Sequence, residues 1–194
     1  MPALTVPALT VLALTVPALL SACAPSARDD APPAPTGVAD RISGLRAEPV
    51  DGATAEDATR AADAYVELFE STIAAPPAEV PASFSDVAAG AALARVAEQI
   101  GVMHRNGLAA RGRTDPAFDV VGRSGDTVYV TSCTPEGRIG IVHVGTGAPA
   151  ERAGDDFAVV LFGLRLDGGR WKVSEVETFT VVDCPTPSGG SAAY

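Results

Sequence analysis

The sequence has few of the side chains on which most catalytic and nucleic-acid-binding sites depend. Its 194 residues include two histidines, three cysteines and a single lysine, and aromatic residues make up 5%. With only His104 and His143, and without a Cys-x-x-Cys pair, neither a metal site nor a cofactor is predicted. Gly-x-Ser-x-Gly and Gly-x-x-x-x-Gly-Lys motifs are missing, so no hydrolase nucleophile or phosphate loop is indicated. The formal net charge of −10 disfavours nucleic acid as a partner.

Charged side chains are also missing from the first 22 residues, which form an apolar run. The run ends in Leu20-Ser21-Ala22-Cys23, which resembles the lipobox of bacterial lipoproteins, where the cysteine thiol is acylated and becomes the new N-terminus. The resemblance implies a signal peptide over residues 1–22, lipidation of Cys23, and a chain held at the extracytoplasmic face of the cell membrane. A transmembrane anchor is the alternative, which Pro2, Pro7 and Pro17 disfavour because proline interrupts a spanning helix. The run lacks the basic residues that usually open a signal peptide.

The remainder of the chain divides by composition. Residues 23–50 begin with a stretch rich in proline, alanine and serine, which is typical of a semi-extended tether. Residues 38–50 either continue that tether or add a short segment to the domain. A domain is predicted over residues 51–185, and residues 186–194 are expected to form a flexible tail.

The first half of the domain has helical spacing. Thr54 and Asp57 form a variant of the capping box, and Pro76 with Pro77 ends the helix that follows. The solvent-exposed face of this helix is expected to carry Glu56, Asp57, Arg60, Asp63, Glu67 and Glu70. A second helical region begins at Ser83 or Ser85, is expected to break near Gly90, and has apolar residues as far as Leu108. Gly107 and Gly112 are possible stops.

The second half has the alternation and turn chemistry of antiparallel strands. Strands are predicted over 118–121, 127–133, 138–144, 157–166 and 170–182, with 157–166 in the centre of the sheet because it is apolar on both faces. In the last strand Glu175 and Glu177 are at odd-numbered positions, so on a regular strand they would face the same side of the sheet as Trp171, Val173 and Phe179. Either a bulge changes the face along this strand, or the two acids look into a cavity.

If Cys23 is lipidated, two cysteines remain, Cys133 and Cys184, and they are predicted to form a disulfide bond with each other. A bridge would close a loop of about 50 residues, worth roughly 4 kcal/mol in the chain-entropy model. The alternative is two separate buried thiols, which an oxidising compartment disfavours.

The order of helices followed by strands resembles an NTF2-like (cystatin-like α+β) domain. The string from Gly125 to Cys133 resembles a strand of actinobacterial NTF2-like lipoproteins, and Leu166–Val173 is similar to a hairpin common in the ketosteroid-isomerase-type superfamily. A closing cysteine like Cys184 also recurs there. The resemblance implies N-terminal helices packed on a curved antiparallel sheet, which together form a cone. It does not give an activity, because the superfamily contains enzymes, transport factors and domains without known activity.

Two functions follow as hypotheses. The preferred one is a non-catalytic module that binds a small apolar ligand in the cone or a protein partner, with a homodimer through the sheet as one form of it. The alternative is an isomerase- or dehydratase-like enzyme with an acid–base site in the cone. Its candidates are Tyr129, His143, Glu175 and Glu177 from the strands, with Tyr65 or His104 from the helices.

Overall fold

A computed structural model describes residues 41–42, 48–150 and 156–184. Among the described residues, Arg41 and Ile42 are helical, and three helices with complete bounds follow, then six strands and a turn of 3-10 helix at Glu136–Arg138. The helices are α1 (Gly52–Ile73), α2 (Phe84–Val87) and α3 (Gly90–Arg105). The strands are β1 (Leu108–Arg111), β2 (Phe118–Ser124), β3 (Thr127–Pro135), β4 (Gly140–His143), β5 (Phe157–Asp167) and β6 (Arg170–Val181). The fold is therefore α+β, with helices packed on a curved antiparallel sheet.

The main sheet has the strand order β2-β3-β5-β6, and all its pairs are antiparallel. β5 is an interior strand, as its two apolar faces predict. The face toward the helices, called here the inner face, carries Val128, Val130, Phe162, Leu164 and Val173. These side chains form one core with residues of α1, α2 and α3, and each large apolar side chain buried there contributes roughly 1.5–3 kcal/mol.

The opposite face of the sheet, called here the outer face, carries a second and smaller apolar cluster. Tyr129 and Leu161 are buried in it, and Val121 and Phe179 pack against them. The two clusters are separate because successive side chains of a strand point to opposite faces of the sheet.

A bulge in β6 explains the unusual parity of its acidic residues. Leu164 pairs with Val173, whereas Gly163 pairs with Glu175, so Ser174 is the extra residue. Val173 therefore lies on the inner face, and Glu175 and Glu177 lie on the outer face. The prediction of a face change through a bulge is confirmed, and the alternative of a regular strand with both acids looking into a cavity is wrong.

The first helix begins differently from the prediction. Asp51 is its N-cap, and its carboxylate accepts from the backbone N–H and the hydroxyl of Thr54, at 2.9 and 2.8 Å. These two hydrogen bonds lower the pKa of Asp51. Asp57 instead pairs with Arg60 at 2.7 Å. The predicted capping box at Thr54 and Asp57 is therefore wrong. The helix is capped one turn earlier, by Asp51, which is the better acceptor for the Thr54 N–H.

The second helical region breaks where glycine predicts it. Gly90, with a φ of +53°, is the first residue of α3, and α2 ends three residues before it at Val87. The helix ends at Arg105 and does not extend to Leu108, since Gly107 takes a φ of +60° and residues 108–111 form β1.

The predicted strand at 138–144 is shorter than expected and lies outside the main sheet. β4 pairs with β1 in a separate two-stranded antiparallel sheet. Residue 138 instead ends the 3-10 turn. The carbonyl of Arg138 lies so close to Gly112 that a Cβ atom at residue 112 would overlap it. Only glycine therefore permits this approach.

The cysteines form the predicted bridge. Cys133 on β3 is bonded to Cys184, three residues beyond the end of β6, with a Cα–Cα distance of 5.8 Å. The bond joins the two strands that flank β5. Among the described residues, no helix is long and apolar enough to cross a membrane. Cys23 and the predicted signal peptide lie outside the described residues.

Candidate functional site

A cavity of about 340 Å³ lies between the helices and the inner face of the sheet. Its walls are mainly apolar and come from α1, β5, β6 and the segment before β4. The apolar side chains are Tyr65, Val66, Phe69, Ile139, Val160, Phe162 and Val176. We call this space the inner cavity. A second space of about 390 Å³ shares Phe69, Gln99, Thr114, Thr134, Ile139 and Thr178 with it, so the two adjoin.

The sequence leaves this space open because the inner-face side chains become small and polar toward one end of the sheet. Along β3 the inner residues run from Val128 and Val130 to Ser132 and Thr134. Thr178 on β6 continues this polar end. The larger residues meet the helices directly, whereas the small ones leave a volume that the helices do not fill.

Tyr65 forms much of one wall. Its ring stacks on Phe69 at 6.3 Å and meets Phe162 edge-on at 6.1 Å between ring centroids. Burial raises the pKa of Tyr65 to about 12, although the positive charge of Arg95 opposes the rise. The hydroxyl therefore stays protonated at neutral pH. It makes no hydrogen bond to any residue in the described part of the chain, so a donor remains available beside the cavity.

Glu70 is the most buried acid of the cavity wall, at 8% exposed. Its carboxylate accepts from the backbone N–H of Thr114 at 2.9 Å and from the Thr114 hydroxyl, and the Arg113 guanidinium lies 3.7 Å away. The prediction that Glu70 belongs to the solvent-exposed face of the helix is wrong, because these donors take the place of the water that would otherwise hydrate its carboxylate. Glu70 holds the loop between β1 and β2 against α1.

Arg95 and Gln99 extend from α3 to the border of the cavity. Both line it and both are exposed, so they stand where it opens to solvent. The Arg95 guanidinium donates to the backbone carbonyl of Val176 at 2.9 Å. This one bond fixes the arginine over β6 and leaves its remaining N–H groups without partners among the described residues.

The four strand candidates for acid–base chemistry do not meet in this cavity. Tyr129 and Glu175 come together on the outer face, where the hydroxyl donates to the carboxylate at 2.9 Å. Burial, and then the hydrogen bond that the hydroxyl donates to Glu175, raises the pKa of Tyr129. Gly163 lies between them in the pairing and leaves room for the Glu175 side chain. The pair is on the far side of the sheet from the helices.

Glu177, the second acid of the outer face, is paired with Arg41, which lies before α1 in the chain. The Arg41 guanidinium donates to both of its carboxylate oxygens, at 2.7 to 3.0 Å. The backbone of Glu48 pairs with that of Arg123 at the edge of β2. Residues in the range 38–50 thus contact the domain, as one of the two readings of that range proposes.

Neither histidine reaches the inner cavity. His143 is an exposed residue of β4, and His104 is an exposed residue of the last turn of α3 whose Nδ1 lies 3.1 Å from the Pro76 carbonyl. Within the described residues, no group of three or more histidine, cysteine, aspartate or glutamate side chains could hold a metal ion.

Sequence reasoning found Tyr65 as a helix candidate but did not find Glu70 or Arg95. A signal for Glu70 exists, since it lies four residues after Val66 and three before Ile73 and so shares their helix face. No local pattern distinguishes Arg95 from the exposed residues around it, because its role depends on the distant carbonyl of Val176.

Comparison with known proteins adds little. No protein-family model matches the chain, and no curated protein matches it. Among solved structures, the crystal structure of the intermembrane space region of chloroplast protein ARC6 is similar over 70% of this chain and 100% of that one. The TM-score is 0.43 and the sequence identity is 15%. Values this low support no conclusion about family or function.

Proposed function

We propose that this chain is a lipid-anchored, extracytoplasmic protein of the NTF2-like type whose domain binds a small, largely apolar molecule in the inner cavity. The observation that carries the binding proposal is a volume of about 340 Å³ whose walls are largely aromatic and aliphatic, with polar side chains toward one end and at the border. Ligand sites of small molecules are usually about 300–1,000 Å³ and have this composition. The anchor rests on the lipobox-like sequence that ends at Cys23.

The polar groups of the cavity favour binding over acid–base catalysis. Glu70 is already held by Thr114 and by Arg113, and a general base needs a carboxylate that can reach its substrate. The Tyr129–Glu175 pair has suitable chemistry for the alternative enzyme, but it lies on the outer face. An isomerase- or dehydratase-like reaction in the cavity would therefore lack the acid–base pair that the alternative requires.

The test is binding of a neutral apolar dye, N-phenyl-1-naphthylamine, followed by its fluorescence. The full chain carries Cys23→Ala, so that no acyl group competes for the cavity. We expect saturable binding that Val160→Phe weakens about tenfold. A larger ring at Val160 occupies the cavity, and the loss of about 55 Å² of apolar contact corresponds to about 1.4 kcal/mol.

Val144→Phe is the matched control, since the same substitution at a residue that is 61% exposed leaves the cavity unchanged. Thermal unfolding of both variants verifies that they fold. The proposal is wrong if the dye does not bind saturably, or if the two variants weaken its binding equally.

A further inference from the structure

We infer that the ligand of the inner cavity is a monocarboxylic acid with an apolar body, and that Arg95 holds its carboxylate at the opening. This inference rests on the proposed function and specifies the class of ligand. It is carried by the contrast between the apolar walls of the cavity and the cationic side chain at its border.

The position of Arg95 suits the recognition of an anion. The residue is fixed by one hydrogen bond to the Val176 carbonyl, and the remaining N–H groups of its guanidinium are available at the opening. A guanidinium presents its donors in a planar fork that matches the two oxygens of a carboxylate. Because the site is at the border with solvent, the ligand can keep its charged group partly hydrated while its apolar body enters the cavity.

Tyr65 supplies a second donor within the same cavity. Its side chain is 6% exposed, and its hydroxyl has no partner among the described residues. The hydroxyl is a donor on the wall of the cavity, and a ligand oxygen near the opening would accept a hydrogen bond from it. Tyr65 and Arg95 both line the inner cavity, and the charge of Arg95 opposes the rise in the pKa of Tyr65.

The negative charge in the cavity does not oppose this assignment. Glu70 is the acid of the wall, and its carboxylate already accepts two hydrogen bonds from Thr114 and faces Arg113 at 3.7 Å. Arg95 has no acidic partner within 4.0 Å among the described residues. The uncompensated charge of the cavity is therefore positive, although the whole chain carries −10.

The experiment compares decanoate with decanol, which share a chain length and differ in the charge of the head group. Binding to the full Cys23→Ala chain is measured by calorimetry below the concentrations at which either molecule aggregates. We expect decanoate to bind about fivefold more tightly than decanol, since an ion pair at an exposed site is worth up to about 1 kcal/mol. Added salt should reduce this difference.

Arg95→Gln should abolish the preference for decanoate and leave the affinity for decanol unchanged, which also verifies that the cavity is intact. Arg105→Gln, at an exposed residue of the same helix outside the cavity, is the matched control and should keep the preference. If both molecules bind equally to the unsubstituted cavity, or if Arg95→Gln changes neither affinity, the inference is wrong and the proposed function stands. If neither molecule binds, both are wrong.

Discussion

Gly163 is the position at which a single methyl group should have the clearest consequence. It pairs with Tyr129 on one side and with Glu175 on the other, and a Cβ atom there would overlap Cγ of Glu175. Gly163→Ala must therefore displace the carboxylate that accepts the Tyr129 hydroxyl at 2.9 Å. The outer face would then retain a tyrosine that is 8% exposed and has lost its acceptor.

The magnitude follows from two opposing terms. Loss of a hydrogen bond to a charged group costs about 1.5–3 kcal/mol, whereas replacing glycine by alanine inside a strand returns about 0.5–1 kcal/mol. We expect Gly163→Ala to lower the free energy of unfolding by about 1–2 kcal/mol, measured by urea denaturation of the full chain. Gly140→Ala is the control, because nothing lies within 4 Å of its Cβ position, and it should not destabilise.

A double-mutant cycle isolates the cause. In a Tyr129→Phe background the carboxylate of Glu175 has no hydroxyl to lose, so Gly163→Ala should cost at least about 1 kcal/mol less than in the unsubstituted chain. Equal losses in the two backgrounds, or an unchanged stability of the single variant, would refute the assignment of Gly163 as the space that Glu175 needs.

Three further outcomes are expected. Cys184→Ser should lower the free energy of unfolding by about 4 kcal/mol, because the bridge closes a loop with a sequence separation of 51; free thiols in the unreduced, denatured domain would contradict the pairing. Between about pH 10 and 12 stability should fall by about 2–3 kcal/mol through Tyr65, since the unfolded state loses this proton first, and Tyr65→Phe should remove that part of the fall. Cys23→Ala should abolish lipidation, and an intact mass with unmodified Cys23 in the natural product would contradict the lipobox reading.

Most of the fold follows from periodicity and turn chemistry. The extent of α1, the break at Gly90 and the interior position of β5 depend on local patterns that the residues themselves carry. The parity of β6 allowed two interpretations, and the bulge at Ser174 selects one of them. A bulge depends on the partner strand as much as on its own sequence, so the residues of β6 alone could not decide.

The errors have physical causes of the same kind. β1 contains Ala109 and Ala110, which favour helices over strands, and it forms because β4 offers it a partner. Glu70 was predicted to be solvent-exposed because charged residues are seldom buried. It is buried because Thr114 donates hydrogen bonds to its carboxylate, which offset the loss of hydration. The importance of Arg95 depends on its bond to Val176, 81 residues away in sequence. Long-range contacts of this kind leave no local pattern.

The measurement that tests the central proposal most directly is the methyl NMR spectrum of the full Cys23→Ala chain with and without N-phenyl-1-naphthylamine. Binding in the inner cavity predicts that the methyl groups of Ile139, Val160 and Val176 shift in proportion to occupancy. Methyl groups of the outer face, at Val121 and Leu161, should remain unchanged. Shifts confined to the outer face, with those three cavity residues unaffected, would contradict the account.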